Sequence, residues 1–154
     1  MLNVHIRSAR ASDHGQLAKL RHALWPDGPL TEHSDELAAI LAGAPLSSMP
    51  LTILVAEVQE RLLAGFVEVG LRSHAEGCNP LRPVGYVEGW YVAEGYRRQG
   101  IGARLIAAAG DWARLHNCCE LASDTHPDNY LSQQAHLGLG FAEVERSVNY
   151  RKSL

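Results

Sequence analysis

An apolar strand that runs into a basic, glycine-interrupted turn and then straight into a helix constrains this chain more than any other feature. Val84-Gly85-Tyr86-Val87-Glu88-Gly89-Trp90-Tyr91-Val92 reads as the strand, and Tyr96-Arg97-Arg98-Gln99-Gly100-Ile101-Gly102-Ala103 as the turn and helix start. A helix that begins this way leaves several backbone N–H groups unpaired, with the positive end of the helix dipole behind them. Such a terminus takes a phosphate or pyrophosphate. Gly100 and Gly102 let the backbone approach the anion without a Cβ in the way, and Arg97 and Arg98 can neutralise its charge. No Walker lysine-serine pair follows, and no acidic residue stands at the ribose position of a dinucleotide fold, so P-loop and Rossmann readings both fade.

The remaining elements can be placed around this turn. Val4–Ala9 is a strand candidate, and Leu17, Leu20 and Leu24 recur at helical spacing in a helix starting near Asp13. Trp25-Pro26-Asp27-Gly28-Pro29 ends that helix. A second short helix carries Leu30, Leu37, Ile40 and Leu41 on one face, and Pro45 and Pro50 bracket the next connection. Strands Leu51–Val58 and Leu62–Arg72 form a hairpin about Gln59-Glu60-Arg61, and His74–Pro83 is a loop. After the glycine turn come a helix from Ile101 to about His116, a strand Cys119–Asp124, and a helix from Asp128 to about Leu137. Strands Phe141–Val144 and Ser147–Lys152 close the chain. The order β-α-α-β-β-β-α-β-α-β-β specifies one mixed α/β sheet with helices on both faces, in a single domain spanning residues 1–154.

Composition narrows the partners. The chain has 154 residues, a formal net charge of −3 and no stripe of Lys/Arg with interleaved aromatics, so nucleic acid is not expected. No run approaches a membrane span and the N-terminus lacks an apolar leader, which points to the cytoplasm. Cys78, Cys118 and Cys119 have neither metal-ligand nor redox spacing, and the histidines have no ligand spacing, so no metal is expected. An acidic chain with a basic anion turn suits a cationic second substrate.

Three side chains carry the candidate chemistry. Glu88 sits mid-strand in an apolar and aromatic run, where an unpaired carboxylate is expensive. It either lines a cleft that binds an ammonium or is held by a structural arginine. Asp124 closes the following strand, where ligands of open α/β sheets gather, although capping the next turn is its plain alternative. If those two strands are neighbours, both carboxylates can flank one amine. His136 lies seven residues after Asn129 on the helix face that carries Ser132. Trp25 and Trp90 suit either core or site, and Asp27, Glu32, Asp35 and Glu36 around the Trp25 loop can attract a polycation.

Two spaced motifs give the chain its resemblance to the GNAT N-acetyltransferase superfamily. Arg97-Arg98-Gln99-Gly100-Ile101-Gly102 is similar to that family's pyrophosphate motif, Arg/Gln-x-x-Gly-x-Gly/Ala. Asn129-x-x-Ser132-x-x-x-His136-x-x-x-Gly140-Phe141 is similar to its Asn-x-x-Ala-x-x-x-Tyr-x-x-x-Gly-Phe. The fragments Leu24-Trp25-Pro26-Asp27, Pro83–Val92 and Leu121-Ala122-Ser123-Asp124 resemble the aminoglycoside 6′-N-acetyltransferases within it, with Ala75 where that subfamily carries tyrosine in its substrate loop.

The resemblance implies a GNAT fold with a mostly antiparallel sheet of six to seven strands. It implies acetyl-CoA as co-substrate, bound by Tyr91, Val92, Arg97, Arg98, Gln99, Gly100, Gly102, Ala103, Asn129 and Ser132. An amino sugar then meets Trp25, Asp27, Glu76, Glu88 and Asp124. Catalysis falls to Asp124 and Glu88 as bases and His136 as acid, by direct transfer, and the C-terminal strands become a homodimer contact. Acidic lining equally suits a polyamine or peptide acceptor, and a non-catalytic acyl-CoA-binding domain needs the turn alone.

Overall fold

The computed structural model describes residues 2–43 and 48–154, and the bracketing Pro45 lies outside the described residues. Its five strands are β1 (His5–Ser8), β2 (Leu51–Glu57), β3 (Leu63–Arg72), β4 (Val84–Val92) and β5 (Leu121–Ser123). They form one sheet in the order β1-β2-β3-β4-β5. The first four pair antiparallel, and β5 runs parallel to β4. Helices α1 (His14–Leu24) and α2 (Leu30–Leu41) precede β2; α3 (Ile101–Leu115) links β4 to β5, and α4 (Tyr130–Gly138) follows.

Alternation along the strands sends side chains to two cores. Ile53, Val55 and Phe66 pack with Leu17 and Leu37 of α1 and α2, while Leu54, Ala56 and Val67 pack with Ile101, Leu105 and Ala109 of α3. α1 stops where Pro26 follows Trp25, whose backbone leaves the helical region at φ −122° and ψ 75°. That break swings the Trp25 ring over β4. A Cβ on Gly89 would lie 2.6 Å from the ring, so glycine is the residue this approach admits.

β1 is tied to the start of α1 by ions. Arg7 donates to both oxygens of Asp13, at 2.7 and 2.9 Å, and to Glu57 of the neighbouring strand β2, while Asp13 also accepts the Arg10 N–H at 2.7 Å. The guanidinium holds the buried Asp13 carboxyl below the ordinary range against the opposing effect of desolvation. A depressed carboxyl stabilises the fold above its unfolded value, and that contribution disappears as pH falls through the folded value. Asp13→Asn is therefore expected to cost roughly 2–3 kcal/mol near neutral pH, a gap closing below about pH 4. Urea denaturation across pH reads this out, and a gap independent of pH would refute it.

The sheet has five strands among the described residues, not six or seven. Neither Phe141–Val144 nor Ser147–Lys152 forms a strand. Phe141 packs against the α3 core and the ring of His136, but beyond it the tail finds no strand to pair with, and Val148 and Tyr150 stand exposed. A period-two pattern gives a strand its face but cannot supply the hydrogen-bonding neighbour.

Candidate active site

β4 carries a bulge that shapes the site. Glu68 faces Gly89 across the β3 ladder and Val69 faces Val87, which leaves Glu88 without a partner in β3. On its other edge β4 pairs with β5 only over Gly85–Val87 and Leu121–Ser123. Past that point the strands part, and the edge of β4 from Glu88 to Val92 is open. The Ala93 N–H bonds Ala64 O at 2.8 Å. Since N–H groups alternate across a strand, that of Val92 faces the open edge, where the Val92 carbonyl accepts from Arg97 Nε at 2.8 Å.

The open edge leads directly to the glycine turn. Glu94–Tyr96 makes one 3-10 turn, Arg98 has φ 60°, and Gly100 caps α3 with φ 79°. No side chain caps this terminus, and the first intrahelical bond recorded there runs from the Arg104 N–H to Gly100 O. The N–H groups of Ile101, Gly102 and Ala103 precede it and point off the helix end. Arg97, also 5.4 Å from the Tyr91 ring centroid, turns back toward β4, whereas Arg98 is exposed. The terminus, with its left-handed glycine and flanking arginines, fits a diphosphate.

Asp124 and Glu88 are brought together by two intermediaries. Tyr86 donates its hydroxyl to Asp124 Oδ2 at 2.5 Å, and the Arg72 guanidinium lies 3.4 Å from the Tyr86 ring centroid. Arg72 also grips Glu88 with two bonds, Nε to Oε1 at 2.9 Å and Nη2 to Oε2 at 2.7 Å. Burial, reinforced by the bond to Asp124, pushes the Tyr86 phenol well up, so it stays a donor. Glu88 is thus both a cleft residue and the partner of an arginine.

His136 is enclosed edge to face by Trp90 and Phe141. Its Nδ1 lies 2.7 Å from the Ser132 carbonyl, which can only accept, so Nδ1 carries the hydrogen. Nε2 then accepts from Ser123 Oγ at 2.8 Å. Ser123 ends β5 at the mouth of the splay, and nothing in the sequence pattern singled it out. Asn129 caps α4 by accepting the Ser132 N–H at 3.1 Å. Cys118 is buried, and desolvation pushes its thiol and that of Cys78 up, away from the thiolate a nucleophile needs.

On the α1–α2 side of the sheet a cavity of 310 Å³ is lined by Trp25, Pro50, Leu51, Glu68, Gly70, Leu71 and Glu88. Three expected substrate residues are not in that lining: Asp124 stands beside it on the Tyr86 hydroxyl, and two lie in loops. Asp27 is exposed in the turn after Trp25, and Glu76 is exposed in its loop beside His74 at 3.4 Å. Ala75 is buried against Val84 and Tyr86. Glu68 was missed, although it gives the same signal as Glu88, a carboxylate inside the apolar run Gly65-Phe66-Val67-Glu68-Val69. Among the described residues no group of three His, Cys, Asp or Glu can hold a metal ion, and no helix is long and apolar enough to cross a membrane.

A splayed β4–β5 pair with an uncapped helix terminus at its end defines a class, and residues 17–141 match the acetyltransferase (GNAT) family. The chain belongs to that family. Its relatives include the aminoglycoside N(6′)-acetyltransferase type 1 of Klebsiella aerogenes, 40% identical over 97% of this chain and 96% of that one. The protein of the same name from Serratia marcescens is 46% identical over 88% of this chain and 89% of that one. Among solved structures, AAC(6′)-Iy with the bisubstrate analogue CoA-S-monomethyl-acetylneamine superposes with a TM-score of 0.87, at 33% identity and 99% coverage of both chains. AAC(6′)-Iy in complex with CoA gives 0.88 at 32% identity, covering 100% of this chain and 97% of that one.

Proposed function

We propose that this protein is an acetyl-CoA-dependent aminoglycoside 6′-N-acetyltransferase that works by direct transfer. The observation that carries the reading is the convergence on one strand: the acidic cavity meets β4 at Glu88, and the open edge and anion-binding terminus begin there and extend to Gly100. A cationic acceptor and an anionic donor therefore meet at the splay.

In this reading the N–H groups of Arg98, Gln99, Gly100, Gly102 and Ala103 hold the diphosphate, and Asn129 and Ser132 flank the arm of the coenzyme. The open edge of β4 at Tyr91 and Val92 receives the pantetheine amides, and the Val92 N–H polarises the thioester carbonyl. Trp25, Glu88 and Asp124 bind the amino sugar, with Asp27 and Glu76 contributing only long-range attraction from outside the cavity. Glu88 is committed to Arg72, so Asp124 takes the proton of the attacking amine through the oxygen that Tyr86 leaves uncovered. For the C–S bond to break, a solvent proton first binds His136 Nε2 and turns the Ser123 hydrogen bond round; that proton then passes to Ser123 Oγ as Ser123 gives its own to the departing sulfur. The imidazole is left neutral, with Nδ1–H on Ser132 O. Two groups acting through one hydrogen-bonded pair explain why histidine can stand where the family motif has tyrosine.

A thiol-release assay with acetyl-CoA against kanamycin, its 6′-hydroxy analogue, spermidine and a peptide tests the proposal. Turnover is expected with kanamycin and none with the 6′-hydroxy analogue. Preference for spermidine or the peptide would move the acceptor class, and no turnover with any acceptor would leave only an acyl-CoA-binding domain. In the same assay Ser123→Ala is expected to lower kcat about tenfold, one hydrogen bond of about 1.4 kcal/mol, with acetyl-CoA KM unchanged. Equal changes in both would reject the relay.

We further propose a homodimer in which the tail pairs outside its own chain. It exposes Val144, Val148, Tyr150 and Leu154, and β5 is a bare edge strand of three residues. Sedimentation of the intact chain and of a chain ending at Glu145 tests this; a monomeric intact chain would refute it. Three free cysteines suit a cytoplasmic location.

A further inference from the structure

Beneath the Trp25 end of the cavity lie two buried charges, Glu68 and Arg21, that the transfer chemistry does not use. Glu68, from the middle of β3, is 6% exposed, and its side chain is more than nine-tenths buried. Its Oε2 has no hydrogen-bond partner. The nearest cation, Arg21 Nη1, stands 3.8 Å away, too far for a hydrogen bond, and Nη1 and Nε of that buried guanidinium also lack partners. Arg21 is instead drawn to Glu36, to which Nη2 donates at 2.9 Å.

A buried carboxylate and guanidinium that almost meet, each with unused capacity, are costly unless something completes them. The local charge shows what is missing. Glu36, Glu68 and Glu88 stand against Arg21 and Arg72, with Asp124 beyond Tyr86 adding a further carboxylate, so acid outnumbers base and the group suits an added cation. Glu68 and Glu88 both line the cavity, together with Trp25. At 310 Å³ the cavity is at the small end of ligand pockets, sized for one sugar ring rather than a whole oligosaccharide.

We infer that Glu68 is the floor of a subsite for a second ammonium of the acceptor, distinct from the amine that is acetylated. The subsite rests on the acetyltransferase reading and deepens it. Glu88, held by Arg72, marks the rim, and Glu68 receives an ammonium carried on the ring seated under Trp25. Burial is the main effect pushing the Glu68 carboxyl up, with Arg21 opposing and Glu88 and Glu36 reinforcing it. The carboxylate therefore holds its charge best when a cation arrives, which makes the subsite selective for acceptors carrying at least two amines. An acceptor with a hydroxyl at that position would leave Glu68 as it is in the free protein, buried and short of a partner.

The test pairs Glu68→Gln and Glu68→Asp with neamine and with neamine derivatives in which one amine other than the 6′-amine is replaced by hydroxyl. Wild-type enzyme is expected to bind one derivative roughly 10- to 100-fold more weakly than neamine. Glu68→Gln should weaken neamine by that factor and leave that derivative unchanged, erasing the preference, with kcat and acetyl-CoA KM within about twofold. Glu68→Asp, which keeps the charge, should restore part of the preference. Equal weakening of every acceptor, or a shift in acetyl-CoA affinity alongside it, would mean a structural role and overturn the subsite. Calorimetry of neamine binding without acetyl-CoA reads the subsite independently of turnover. Neamine bound equally by wild type and Glu68→Gln would end the inference, whereas binding that depends on Glu68 with no acetylation would sink the activity and keep the subsite.

Discussion

Replacing Asp124 by asparagine is expected to lower kcat roughly 10²- to 10³-fold while acetyl-CoA KM changes little. Asparagine keeps an oxygen for the Tyr86 hydroxyl, so the 2.5 Å bond and the packing of Tyr86 under Arg72 survive. What is lost is the lone pair that accepts the ammonium proton. No second carboxylate replaces it, because both oxygens of Glu88 are engaged by Arg72. Glu88→Gln should accordingly raise acceptor KM more than it lowers kcat. Steady-state kinetics with each substrate varied separately the measurement; equal losses in acetyl-CoA affinity and turnover for Asp124→Asn would remove Asp124 from the chemistry.

Gly102→Val is expected to weaken acetyl-CoA about 100-fold, near 2.7 kcal/mol, with the fold intact. A Cβ at this position meets Trp90 Cζ2 at 3.0 Å, tighter than ordinary contact, and the branched methyls of valine spread over the amides at the start of α3. Trp90 in turn meets the His136 ring edge to face, so the clash propagates toward the proposed relay. Alanine at the same site should cost much less. Calorimetric titration with coenzyme A decides it, and an unchanged affinity would show that the turn does not grip the diphosphate. Thermal melting of the free variant separates this from helix propensity, which contributes under about 1 kcal/mol.

How far these assignments were legible in the sequence depends on which interactions are local. The strand–turn–helix unit was legible because its period switches from two to 3.6 at the glycines, and the structure forms β4 and α3 within a residue of the expected bounds. The hairpin of β2 and β3 was equally plain. The two C-terminal strands were not, because a strand exists only with a partner, and composition says nothing of where that partner lies. Glu88 drew attention through its cost, yet the identical signal at Glu68 went unread, since β3 does not lead to the glycine turn. Asp27 and Glu76 came from the resemblance rather than from any pattern of their own, and both stand exposed in loops, away from the residues that line the cavity. Ser123 could not be found at all, because its meaning lies in a hydrogen bond to a ring 13 residues away.

The parting of β4 from β5 after Val87 leaves the edge from Glu88 to Val92 without a neighbouring strand, although Arg97 reaches the Val92 carbonyl. In the proposed complex a pantetheine arm laid there would serve as a sixth strand, making the coenzyme a structural prop as well as a reagent. The ligand-free molecule should then melt earlier than the loaded one, with a melting point that climbs with coenzyme concentration and amide protection that rises along Glu88–Val92.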